Sequence, residues 1–172
     1  KLSTDPLHGR VVLWDARTLG DWAKELNGAH ALFNLTGRSV DCRYTDKNRE
    51  LIMNSRVDST MALGEALRQC PDAPGVWLNS STATIYKDRR GNLPPHDESS
   101  EEWGSGFSVE VARAWEKAFA DFRTERTRQV VLRVSIVLGK QGGAFPVMKR
   151  FASLGLGGAQ GPGNQWMSWL HL

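Results

Sequence analysis

Two short polar segments carry most of the chemistry this sequence offers. Asn34-Leu-Thr-Gly37 closes a buried apolar run with a small residue and a glycine, a combination that lets a ligand approach the backbone closely. On spacing alone, a strand-ending turn with no ligand is the simpler account. Asn79-Ser-Ser-Thr-Ala-Thr-Ile-Tyr86 sets several hydroxyls after a second buried run. Ser80, Ser81 and Thr82 could hydrogen-bond a substrate carbonyl or hydroxyl, or cap backbone groups in a turn, and the two readings weigh equally on the segment alone. Tyr86 adds a phenol with Lys87 beside it, but neighbours on an extended segment point in opposite directions. A packing or structural hydrogen-bonding role for Tyr86 therefore stands against a proton-exchanging one.

Other chemistries lack their residues. His8, His30, His96 and His171 are far apart and no paired Cys/His spacing occurs, so no metal site is expected. No G-x-S-x-G elbow occurs. The glycine string Gly155-Leu-Gly-Gly-Ala-Gln-Gly161 neither follows a strand nor opens a helix, which makes it a flexible loop bordering a pocket rather than a dinucleotide fingerprint. The 22 basic and 19 acidic residues leave a net charge of +3. Its densest basic group, Arg123, Arg126 and Arg128, is interrupted by Glu125 and flanked by Asp121, as on a solvated helix end, so no nucleic-acid partner is expected. No apolar run approaches the roughly 18 residues that cross a bilayer, and no signal-like segment opens the chain. Cys42 and Cys70 form neither a C-x-x-C pair nor a disulfide framework, which suits a reducing, cytoplasmic compartment.

The elements that must position these segments follow from periodicity. A length of 172 residues with 40% hydrophobic content predicts one folded domain over residues 1–172. Arg10-Val-Val-Leu-Trp14 reads as a strand, residues 18–26 as a short helix, and His30-Ala-Leu-Phe-Asn34 as a buried strand. From Thr45 to about Gln69, apolar and small residues recur every three or four positions, which predicts a long helix started by Thr45 or Asp46. Val76-Trp-Leu78 is a third strand, and an acidic, proline-bearing connection spans residues 88–104. Phe107, Val111, Trp115, Ala118, Phe119 and Phe122 then mark an amphipathic helix, and Gln129-Val-Val-Leu-Arg-Val134 a fourth strand. Eight of the 17 glycines lie from Gly139 onward, so that end reads mostly as loop. The order β-α-β-α-β-α-β predicts a parallel sheet covered by helices, with polar residues gathered at strand carboxyl ends where an open α/β sheet has its crevice.

The order of these pieces resembles the extended short-chain dehydrogenase/reductase superfamily: strand-NLTG, Ser55-Arg56 inside a long helix, SSTATIY, an amphipathic helix, Leu132-Arg-Val-Ser-Ile-Val-Leu-Gly139 and Gln165-Trp-Met-Ser-Trp-Leu-His171. Within it, the sequence is similar to the atypical, nucleoside-diphosphate-sugar epimerase-like NAD(P)-binding branch, from about Trp14 to Leu172. The most specific stretch is the tail, from Gly142-Gly-Ala through Leu154-Gly-Leu-Gly-Gly to Gln165-Trp-Met-Ser-Trp. The resemblance implies a Rossmann-type doubly wound parallel sheet and NADP, or NAD, as cofactor. Carried over by position, Leu35, Thr36 and Gly37 would lie against the cofactor where the family has Asn-Leu-Ala-Gly, and Arg56 would reach its phosphate or ribose region. Val137 would pack near the nicotinamide end, and Ser81 and Thr82 would take the place of the substrate-orienting hydroxyl. The substrate implied is a sugar nucleotide or a small carbonyl compound.

Two departures qualify this expectation. The family's Tyr-x-x-x-Lys pair is replaced by Phe107 and Val111, which can neither exchange a proton nor supply a charge. The similar atypical branch also tends to lack the pair, so what is set aside is a routine dehydrogenase or epimerase mechanism. The opening Lys1-Leu-Ser-Thr-Asp-Pro6 has no strand, glycine-rich turn and helix to receive a pyrophosphate. The expectation is therefore a middle portion of a larger domain, without the first βαβ unit and the carboxyl-terminal substrate-binding portion. An unpaired strand edge prone to self-association would follow. Function divides between an epimerase- or reductase-like enzyme with an atypical site and a non-catalytic NADP-binding sensor or interaction module.

Overall fold

The structure, a computed structural model, describes residues 9–159, 161–163 and 166–172. The opening Lys1–Pro6 stretch, Gln160 of the glycine string and Gln165 of the Gln-Trp-Met motif lie outside the described residues. The elements are β1 (Ala31–Asn34), α1 (Asp46–Gln69), β2 (Val76–Thr82), α2 (Phe107–Ala120), β3 (Arg128–Val134), β4 (Ile136–Leu138), α3 (Ala144–Ser153) and β5 (Trp169–His171). Short 3-10 turns occupy Asp21–Leu26 and Ala83–Ile85.

A three-stranded sheet runs in the order β1-β2-β3. β1 and β2 are parallel, in register from Ala31 opposite Val76 to Asn34 opposite Asn79. Parallel neighbours need a long crossover, and α1 supplies it. Thr45 starts that helix by accepting a hydrogen bond from Asn48 N at 3.3 Å, the N-cap geometry expected from the sequence. Its buried face runs through Ile52, Ser59, Thr60, Ala62, Leu63, Gly64, Ala66 and Leu67. Gly64 is there for space: a Cβ at that position would sit 2.2 Å from Cγ of Phe122, whose ring packs on the helix backbone.

The sheet begins later than the sequence predicts. Residues 10–14 form no strand, although exposure alternates along them, with Val11 and Leu13 open and Val12 and Trp14 half-buried. Alternation makes a segment fit for a sheet, but a strand exists only where a neighbour completes its hydrogen bonds. The expected helix over 18–26 shortens to the 3-10 turn. Upstream of it, Asp15 accepts hydrogen bonds from Arg17 N, Thr18 N and Thr18 Oγ1, an Asx-type turn that competes with helix formation. Those bonds, led by the Thr18 hydroxyl, hold the Asp15 carboxyl down at about 2.

The chain divides into two compact units, one of residues up to Ser80 together with Arg113–Leu132, the other of Ser81–Ala112 with Arg133–Leu172. In the first, Leu26, Leu63, Ala66, Leu67, Cys70, Trp77 and Phe119 form the core, with Trp77 edge-on to Phe119 at 4.6 Å. In the second, Ile85, Val109 and Ala112 are buried together, with Tyr86 and Trp103 packed against them. The same unit carries a parallel pair, β4 with β5, from Ile136 opposite Trp169 to Leu138 opposite His171.

The glycine-rich end is less loop-like than its composition suggests, because it contains the ten-residue α3. Gly143 leads into this helix at φ 72°, a backbone conformation that glycine adopts without strain. Pro146 falls in the first turn, where its missing N–H is not needed. Among the described residues, no helix is long and apolar enough to cross a membrane. None of their His, Cys, Asp and Glu side chains gather in threes to hold a metal ion.

Candidate functional site

In the first unit, the carboxyl end of β1 turns on one side chain. Asn34 is buried, and its Oδ1 accepts from the Thr36 backbone N–H at 3.1 Å, which bends the chain straight out of the strand. Its Nδ2 donates to Asn79 Oδ1 at 2.7 Å and to Thr60 Oγ1 at 3.1 Å. Leu35 then points outward, 71% exposed, and Thr36 is half-buried. Gly37 matters for proximity: a Cβ there would lie 3.1 Å from Cζ and 3.2 Å from Nη2 of Arg56.

Arg56 is held against this turn. Its Nη1 donates to the carbonyls of Ile52 at 3.0 Å and Arg38 at 3.2 Å, and its Cζ lies 5.3 Å from the centre of the Trp115 ring. Arg38 is itself fixed, its N–H donating to Ser55 Oγ at 2.9 Å. Burial pushes the Arg56 guanidinium below its ordinary value. No carboxylate among the described residues pairs with it. The structure thus brings Thr36, Gly37 and Arg56 together, with Leu35 at the rim. A half-buried cation beside a close backbone suits a phosphate or a carboxylate.

In the second unit, Ser81 is buried at 4% exposure. Thr82 caps the 3-10 turn, its Oγ1 accepting from Thr84 N at 3.2 Å and lying 3.0 Å from Thr84 Oγ1. For Thr82, then, the turn-capping geometry is the one present. The nitrogen at the Tyr86 phenol is not Lys87 Nζ but Arg133 Nη1, which donates to Oη at 2.7 Å. The Tyr86 ring stacks on His96 at 4.9 Å and on Trp103 at 5.9 Å, and Arg133 Cζ lies 5.0 Å from the Trp103 ring centre. His96 Nε2 donates to the Lys87 carbonyl at 2.8 Å, which leaves Nδ1 to face Ser100 Oγ at 2.7 Å.

Sequence reasoning missed Arg133 and His96. A charge inside the apolar run of β3 was the available signal for Arg133; His96 sits in an irregular connection that offers none. Val137 lies on β4 opposite Leu170, 37% exposed. Phe107 opens α2 half-buried and Val111 is buried on the same helix, so neither position offers a proton donor or a charge.

No family model matches the chain. An epimerase family protein of Staphylococcus saprophyticus is 34% identical over 152 residues, covering 88% of this chain and 50% of that protein. One of Staphylococcus haemolyticus is 31% identical over 151 residues, with the same coverage. The chain is a homologue of the epimerase family proteins. It spans about half the length of the curated relatives it matches. Among solved structures, the human epimerase family protein SDR39U1 (isoform 2) with NADPH superposes with TM-score 0.76 at 30% identity, covering 85% of this chain and 50% of that one. The nucleoside-diphosphate sugar epimerase of Corynebacterium glutamicum gives 0.73 at 30%, covering 92% and 32%. A UDP-glucuronic acid 4-epimerase of Bacillus cereus, 16% identical with TM-score 0.64, shares the fold. The parallel α/β architecture is thus the Rossmann-like one that the sequence led us to expect.

Proposed function

We propose that the chain serves an NAD(P)-dependent, epimerase- or reductase-like protein acting on a sugar nucleotide or a small carbonyl compound, with NADP bound along the 34–37 turn. The observation that carries this reading is Arg56, a half-buried guanidinium without a carboxylate partner among the described residues, set beside Gly37 at the carboxyl end of a parallel strand. The NADPH in the human relative supports it. The donor set fits a phosphate-bearing cofactor, which when bound would supply a hydride donor or acceptor. Arg56 would hold its phosphate or ribose region, Leu35 and Thr36 would lie along it, and Val137 would pack at its nicotinamide end. Ser81 would orient a substrate hydroxyl or carbonyl, and Thr82 would shape that segment through its cap. Free Cys42 and Cys70 suit a reducing cytoplasmic setting.

Phe107 and Val111 favour a second reading, a dinucleotide sensor or interaction module that retains the cofactor and has no acid-base pair. The stacking of Tyr86 on His96 and on Trp103, with its oxygen bonded to Arg133, favours a structural role over proton exchange. Calorimetric titration tests the shared part: NADPH should bind, and Arg56→Ala should weaken it about tenfold or more, the scale of a lost charge-assisted pair. Unchanged affinity would remove Arg56 from the site. Cofactor oxidation in a panel of sugar nucleotides and carbonyl compounds separates the readings, since tight binding with persistent inactivity selects the sensor.

A further inference from the structure

Under the 34–37 turn lies a polar layer in otherwise apolar packing. Asn34, Thr60, Asn79 and Trp115 are all at 5% exposure or less. Thr60 Oγ1 is the hub. It accepts from Trp115 Nε1 at 2.9 Å and from Asn34 Nδ2 at 3.1 Å, and donates to the Arg56 carbonyl at 2.8 Å, with Asn79 Oδ1 at 3.4 Å. A hydroxyl has one proton and two lone pairs, so this one is at capacity.

Each of its three bonds leads to part of the candidate site. Through Trp115 it fixes the ring beside the Arg56 guanidinium, 5.3 Å from Cζ. Through Asn34 it fixes the carboxamide that receives the Thr36 N–H. Its own donation goes to the carbonyl of Arg56, which also accepts from Ser59 Oγ at 3.0 Å. The guanidinium uses Nη1 on two carbonyls, while Nε and Nη2 have no acceptor among the described residues. Nε and Nη2 form the two-donor edge that matches a phosphate or carboxylate.

We propose that Thr60 and Trp115 are positioning residues that hold Arg56 and the Thr36 backbone as a preformed receptor for a phosphate group. The inference rests on the cofactor reading above and deepens it. Thr60→Val keeps the shape and removes the hub; Thr60→Ser keeps the hub. The first measurement needs no ligand: the Arg56 Nε–H resonance should be sharp in the wild-type protein and in Thr60→Ser, and broadened in Thr60→Val. A sharp, unshifted signal in Thr60→Val would overturn the positioning role. The second is NADPH titration, where Thr60→Val should lose about tenfold in affinity, Thr60→Ser should restore it, and adding Thr60→Val to Arg56→Ala should lose clearly less than Thr60→Val does alone. An equal loss in the Arg56→Ala background would mark Thr60 as structural and overturn the proposal. Failure of the wild-type protein to bind NADPH would sink the cofactor reading and the phosphate receptor with it, while the ligand-free resonance still decides whether Thr60 positions Arg56. If Thr60→Val does not fold, Trp115→Phe, which keeps a ring near Arg56 and loses the N–H, takes the same two measurements with the same expected and overturning results.

Discussion

The phenol oxygen of Tyr86 takes its hydrogen bond from Arg133, 47 positions further along the chain, while the adjacent Lys87 uses its backbone on residues of the 88–104 connection. Gly104 N bonds Ile85 O at 2.9 Å and Lys87 N bonds Glu102 O at 2.9 Å, so the connection returns to lie beside Tyr86. Arg133 is the cation of this cluster, next to both the Tyr86 and Trp103 rings. Arg133→Leu should therefore destabilise the protein by about 1–3 kcal/mol, the scale of losing a charged hydrogen-bond donor from a half-buried partner. Denaturant unfolding measures it, and wild-type stability in that variant would show the cluster to be incidental. Lys87→Ala should leave stability nearly unchanged in the same experiment.

At the scale of elements, the meeting of α1 with Phe122 is set by one missing side chain. Gly64→Ala would gain helix propensity, yet its methyl would enter the base of the Phe122 ring, so that the ring or the helix must shift. Overpacking of this kind should cost about 1–3 kcal/mol, readable as a lowered thermal midpoint. A raised midpoint would mean that Phe122 moves aside freely. Both long helices, the strands β1 and β3 and the apolar half of β2 were legible in the sequence, because their periodicity is local, whereas the polar residues 79–82 extend β2 beyond the apolar run that marks it. The strand expected at 10–14 was not secured by pattern, since its apolar alternation says nothing of whether a neighbour pairs with it. α3 was hidden by the glycines around it and by Pro146. The candidate site was half legible: the glycine and arginine were visible as types. Their support was not, because Thr60 and Asn79 lie 26 and 45 positions from Asn34 and meet it only once α1 crosses over and β2 pairs with β1.

For the whole molecule, the order β1-β2-β3 leaves β1 with a strand on one side only among the described residues. Phe33 on that strand is 61% exposed and Leu35 just beyond it 71%. An open edge with apolar side chains invites pairing with another chain. Light scattering coupled to size exclusion should show mass rising with concentration, and Phe33→Lys should suppress the rise. A constant monomer mass in the wild-type protein would remove this edge as an association surface.

The layer joining Asn34, Thr60 and Asn79 has a consequence for how this sequence can vary. Replacing any one of the three strands donors or acceptors of the others in a place water does not reach, and a consistent apolar core would need Trp115, whose Nε1 donates to Thr60, to change along with all three. Drift at these positions is therefore expected to be concerted, so that Asn34 and Asn79, on neighbouring strands, and Thr60 on the crossover helix behave as a single inherited character.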